Sequence, residues 1–170
     1  MEPARFEALS RKIQNQVGRA DDIIRRLNRF SHSVDESSMK IDLADTIEFM
    51  IAICGRLAAG RKKKLDLIRP EQPEQVVTNL FVLENILWRC FDFAMVAAGS
   101  NQTVTITVRG DSEEQVLVCF SGLTDLVRQG EATLPGEEET ALLDILNGTV
   151  VLKNDSGEMF LTLPRRVSKA

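Results

Sequence analysis

The sequence predicts an α+β fold: a two-layer α/β sandwich with helices on one face of a mixed sheet, preceded by a long helical arm. Apolar residues recur at helical spacing over 6–30, 43–59 and 74–98. Two pairs of alternating segments, 103-TVTITVR-109 with 115-QVLVCFS-121 and 149-TVVLK-153 with 158-EMFLTLP-164, flank the turn-forming stretches 110-GDSEE-114 and 154-NDSG-157. No internal repeat at a fixed period occurs, which sets solenoid folds aside.

A chain of 170 residues with 44% hydrophobic content fills one core of ordinary size with an element to spare. Its 21 basic and 25 acidic residues leave a formal net charge of −4, so no nucleic-acid partner is expected. Cys54, Cys90 and Cys119 are far apart and each lies in an apolar run, which points to reduced core cysteines rather than a zinc site or a disulfide framework. The start, MEPARFEALSRK, has no apolar signal core, and no apolar run reaches the ~20 residues that span a bilayer. A cytoplasmic protein without a membrane partner is the expectation.

In the arm, Phe6, Ile13, Ala20 and Leu27 recur every seven residues, with Leu9, Ile23 and Phe30 three residues later and Val17 and Ile24 widening the stripe. At 1.5 Å per residue such a helix is about 38 Å long. That is too long for one small core to cover, so the seam is expected to be a homodimer interface. Residues 31–40, SHSVDESSMK, read as a linker. The division is therefore an arm with linker over 1–36 and a globular domain over 37–170.

Asp42 is suited to cap a helix over 43–59, with Gly60 at its end. The basic run 61-RKKK-64 reads as a solvated loop before a strand at 65–69. Pro70 and Pro73 mark a loop, and a second long helix runs from Glu74 to about residue 98, where Gly99 stops it. A short helix over 137–146 precedes the last two strands.

In this order, 20-ADDIIRRLNRFSHSVDE-36, 41-IDLADTIEFMIAICGRLAAGRKKKLDLI-68, 83-LENILWRCFDFAM-95 and 146-LNGTVVLKNDSGEMFLTLP-164 resemble the C-terminal region of bacterial sensor histidine kinases. They look like its second dimerisation helix followed by the ATP-binding domain of GHKL type. The resemblance implies a histidine-kinase-type ATPase fold and covers most of the chain.

The family's catalytic words are altered. Its nucleotide helix reads E-x-x-x-x-N-x-x-x-N-A, with asparagines facing phosphates and magnesium; matching Glu84 and Ala94 puts Arg89 and Phe93 on those two positions. Magnesium requires oxygen ligands, and neither residue supplies one. In the adenine word D-x-G-x-G, Phe120 stands where the aspartate belongs, only Gly122 remains, and Asp125 is late in register. The glycine-rich phosphate word before the last helix is reduced to Leu134, Pro135 and Gly136. Trp88 and Phe93 are expected to pack where a nucleotide would sit. Arg89 is expected to form an ion pair with Asp92 or Glu84 on its own helix.

The one histidine, His32, lies outside the family's phosphoacceptor word. An exposed imidazole is nucleophilic, but a solvated histidine at a helix end is the preferred reading. These readings imply a catalytically degenerate, kinase-like signalling protein. It acts as a dimeric binding or scaffold module, without cofactor, for a response-regulator receiver domain or a sensor kinase. Two alternatives stand beside it. One is a divergent ATP·Mg-binding kinase or ATPase that uses Arg89, Asp92 and Asp125; the other is an ATP-independent phosphotransferase relaying through His32.

Overall fold

A computed structural model of the chain describes residues 7, 10–14, 16–18, 38–100, 102–126 and 134–167. The chain divides into two compact units, Met1–Asp35 and Glu36–Ala170. In the first, every described residue is helical, and the seam residues Ile13 and Val17 are 57% and 62% exposed. The other seam positions, Phe6, Leu9, Ala20, Ile23, Ile24, Leu27 and Phe30, lie outside the described residues, as does His32.

The second unit runs β1 (Met39–Asp42), α1 (Leu43–Gly60), β2 (Lys64–Ile68), β3 (Gln75–Thr78), α2 (Leu80–Ala97), β4 (Thr103–Gly110), β5 (Gln115–Ser121), α3 (Glu137–Leu146), β6 (Thr149–Lys153) and β7 (Glu158–Pro164). Five strands form one mixed sheet in the order β2-β4-β5-β7-β6, with β2 parallel to β4 and the remaining pairs antiparallel. Alternation puts Val104, Ile106 and Val108 of β4, Val118 and Phe120 of β5, and Met159, Leu161 and Leu163 of β7 in the core. There they join Leu43 and Ile47 of α1 and Leu83, Ile86, Leu87 and Phe91 of α2. This is the expected two-layer α+β sandwich. No helix among the described residues is long and apolar enough to cross a membrane.

The linker and the start of the second long helix depart from the sequence reading. Met39 and Lys40 belong to β1, which pairs antiparallel with β3 through Met39↔Thr78 and Ile41↔Val76. Residues 75–78 are therefore strand, not helix. Val76, Val77 and Thr78 are β-branched and lose side-chain freedom in a helix. Asn79 then opens α2 as its N-cap, its Oδ1 accepting from the Val82 N–H at 3.0 Å.

Asp42 caps α1 as expected, accepting from the Asp45 N–H at 3.1 Å. The helix ends at Gly60 as expected, but the left-handed residue that closes it lies two positions further on. Lys62 takes the left-handed conformation at φ 56°, while Lys63 N–H donates to Ala58 O at 2.8 Å and Lys62 N–H to Ala59 O at 3.0 Å. This is a Schellman ending with lysine in place of the usual glycine. The neighbouring basic residues are also engaged: Arg61 pairs with Asp92, and Lys64 with Asp66 at 2.7 Å.

Gly99, at φ 54°, ends α2, and a side chain there would collide with the Asp125 carboxylate. The last carbonyls of α2 find external donors: Thr124 Oγ1 reaches Ala98 O at 2.8 Å, Asp125 N–H reaches Ala97 O at 2.8 Å, and Lys63 Nζ reaches Gly99 O at 2.6 Å. The segment after β5 is thereby tied to the end of α2, and Leu123 N–H ties it to Gly157 O of the last hairpin at 3.1 Å.

Candidate functional site

The candidate site lies where α2 faces the first turn of α3. That turn reads Glu137, Glu138 and Glu139, carboxylates at the end of a helix where exposed N–H groups favour negative charge. Glu139 reaches back to accept from the Gly136 N–H at 2.9 Å, closing the capping interaction. Its other oxygen accepts from Arg89 Nη1 at 2.6 Å, while Arg89 Nη2 binds Glu138. The Arg89 fork thus clamps α2 to α3 through two adjacent carboxylates.

The two arms are unequal. Glu139 is 13% exposed along its side chain and Glu138 74%, so water screens the Glu138 arm and leaves it worth about 1 kcal/mol or less. Burial works to raise the Glu139 pKa. Hydrogen bonds from Arg89 and from the backbone N–H groups of Glu139 and Gly136 outweigh it and hold the carboxyl below its ordinary value. Arg89 is raised, chiefly by its hydrogen bond to Glu139.

The expectation that Arg89 pairs with Asp92 or Glu84 is therefore corrected. Asp92 points the other way, to Arg61 on the α1 side at 2.8 Å, and Glu84 is buried. The partners of Arg89 lie 49 and 50 residues along the chain, where helix periodicity carries no signal. An acidic triplet opening a helix was the only sequence cue.

Phe120 is fully buried on β5 and meets Phe91 of α2 edge-on, ring centroids 5.9 Å apart. Burying such a ring is worth about 2–3 kcal/mol. Phe93 is buried too, but Trp88 is not: 39% of it is exposed, contrary to the expectation that it fills the core. Gly122 follows β5 at φ 88°. Arg89, Asp92 and Asp125 do not converge: the first faces α3, the second α1, and the third lies against Gly99 at the end of α2.

At the positions that the resemblance assigns to magnesium and adenine, the described side chains offer neither an amide oxygen nor a carboxylate. At the two positions where the resemblance calls for asparagine oxygens stand a guanidinium and an apolar ring, and at the adenine position stands the buried Phe120. No group of His, Cys, Asp and Glu suited to a metal ion occurs among the described residues. Cys54 and Cys90 are buried and Cys119 half-buried, which corrects the expectation of three core thiols at the third position only.

No family model matches the sequence, and no curated protein matches it. Solved structures do. The nucleotide-free catalytic domain of histidine kinase ThkA is similar at a TM-score of 0.60 and 15% identity, covering 78% of this chain and 100% of that one. The Acinetobacter baumannii histidine kinase AdeS is similar at 0.58 and 16% identity, over 93% of this chain and 83% of that one. ThkA in complex with response regulator protein TrrA is similar at 0.58 and 15% identity, over 97% of this chain and 53% of that one. The chain has the fold of the catalytic domain of bacterial sensor histidine kinases.

Proposed function

We propose that this protein is a catalytically degenerate, histidine-kinase-like signalling module that binds a two-component partner without using ATP. The observation that carries the reading is the Arg89 clamp. The chain's own Glu138 and Glu139 satisfy a guanidinium at a position where the resemblance implies a magnesium-side asparagine. Phe120 and Phe91 support it by filling the adenine side with packed rings.

The fold is a site-bearing scaffold whose chemistry depends on residues that have been replaced. What remains is an α+β domain and an arm of amphipathic sequence with exposed Ile13 and Val17, suited to a homodimer. A response-regulator receiver domain is the favoured partner, since a structure of the same fold, ThkA, is in complex with the response regulator TrrA. Incubation of the full chain with γ-labelled ATP and magnesium tests the reading. No acid-labile or acid-stable phosphoprotein and no released phosphate are expected; phosphohistidine or ATP turnover overturns it.

A further inference from the structure

The solvent-facing seam between α1 and α2 gathers apolar and basic side chains that take no part in the Arg89 clamp. These helices lead into neighbouring parallel strands, β2 and β4. Two contacts fix their order, Arg61 to Asp92 at 2.8 Å and Lys63 to Gly99 at 2.6 Å, so α1 and α2 run side by side in the same direction. Ile53 and Leu57 precede Arg61 at intervals of four and share the flank of α1 that reaches α2. On α2, Trp88 is one turn before Asp92, whereas Arg89, about 100° further round the helix, faces α3. Trp88 therefore stands on the α1 flank, beside Ile53 and Leu57.

Trp88 and Ile53 are exposed, at 39% and 43%, and Leu57 is only partly buried. Arg56 on α1 and Lys62 just past its end are exposed, and the basic run 61–64 also holds Arg61, Lys63 and Lys64. Of the carboxylates on this side, Asp92 pairs with Arg61, Asp66 pairs with Lys64, and Asp125 lies against Gly99, whose carbonyl Lys63 meets, on a chain whose formal net charge is −4. Arg61 and Lys64 are ion-paired, so Arg56 and Lys62 are the exposed basic groups that this end of α1 offers a partner. Tryptophan and arginine are the residues on which interface energy concentrates, and charge complementarity selects the partner.

We propose that this seam docks an acidic amphipathic helix of a partner protein. Its apolar side chains cover Ile53 and Trp88, and its carboxylates reach Arg56 and Lys62. The inference deepens the binding-module reading and rests on it, by naming the surface and the chemistry of the partner. The two fail separately, because ATP binding at the α2–α3 face contradicts that reading without changing what Trp88 meets.

Trp88 is the only tryptophan, so its fluorescence reports the seam directly. The full chain is titrated with two synthetic helical peptides of identical apolar stripe, one flanked by glutamates and one by lysines, and with vesicles of phosphatidylserine and phosphatidylcholine. The acidic peptide is expected to shift Trp88 emission to the blue with saturation, and raised salt to weaken it. The double variant Arg56→Glu with Lys62→Asn is expected to bind on the order of tenfold more weakly. Ile53→Ser is expected to weaken it as well, with an unchanged circular dichroism spectrum in both variants. An unchanged emission with the acidic peptide, an equal response to the basic one, affinity unaltered by both variants, or an equal response to the vesicles overturns the proposal.

Discussion

Arg89 on α2 donates to Glu139 on α3 across 50 residues of sequence, at 2.6 Å, while Glu139 also accepts from the Gly136 N–H that opens α3. One carboxylate therefore serves as helix cap and as anchor between two helices. Arg89→Ala removes both arms of the fork and leaves Glu139 less well compensated. We expect a loss of about 1–2 kcal/mol in urea unfolding, and less than about 0.5 kcal/mol for Glu138→Gln, whose carboxylate is largely exposed.

The clamp gives the protein an acid-sensitive joint. Glu139 has a folded-state pKa below its ordinary value of 4.5, so its contribution is complete above that value and is lost as pH falls through the lower folded pKa. Stability curves of wild type and Glu139→Gln, measured by urea unfolding across acidic pH, should converge below pH 4.5 and be separated above it. A constant separation at every pH would show that the carboxylate charge contributes nothing.

Phe120→Ala tests the packed ring on the adenine side. Deleting a fully buried phenylalanine in contact with Phe91 should cost about 3–4 kcal/mol, read as a lower urea midpoint at unchanged slope. Phe120→Asp, which writes the family's adenine-binding residue back, should be at least as destabilising and should not bring ATP binding, because Arg89 and Phe93 remain.

The elements with a clear period were legible in the sequence. The strands β4 and β7 alternate cleanly between core and surface, β5 does so apart from Leu117, which is buried as well, and α3 has the predicted bounds, ended by left-handed Asn147. The pair β1 and β3 was not legible, because Val76, Val77 and Thr78 run straight into the apolar start of α2 and their partners lie before α1. The end of α1 at Gly60 was legible, but its left-handed cap at Lys62 was not, since lysine seldom adopts that backbone. At the site, Arg89, Phe93 and Phe120 were visible one by one as departures from the words of the resemblance. What joins them was not: a helix pattern cannot foretell that Arg89 turns to α3 and Asp92 to α1.

Thiol reactivity should follow burial. Burial pushes Cys90 up to about 12 and Cys54 to about 11, each with a smaller contribution from a nearby carboxylate, Glu139 or Asp92. Cys119, half-buried beside Glu158, is raised by burial first. Alkylation near neutral pH, mapped by mass spectrometry, should label Cys119 first and Cys90 only on unfolding; early labelling of Cys90 would contradict its enclosure.

The exposed arm residues bear on assembly. Ile13→Asp combined with Val17→Asp should convert a dimer to monomer in sedimentation equilibrium while leaving the melting transition of Glu36–Ala170 in place. An unchanged sedimentation mass would remove the arm as the dimer interface.

Calorimetric titration of the full chain with ATP and magnesium, paired with thermal unfolding at the same concentrations, bears most directly on the proposal that the chain works without nucleotide. We expect no saturable heat and no rise in melting temperature, with Arg89 held by Glu138 and Glu139 and Phe120 packed on Phe91. Micromolar binding accompanied by a matching rise in melting temperature would contradict it.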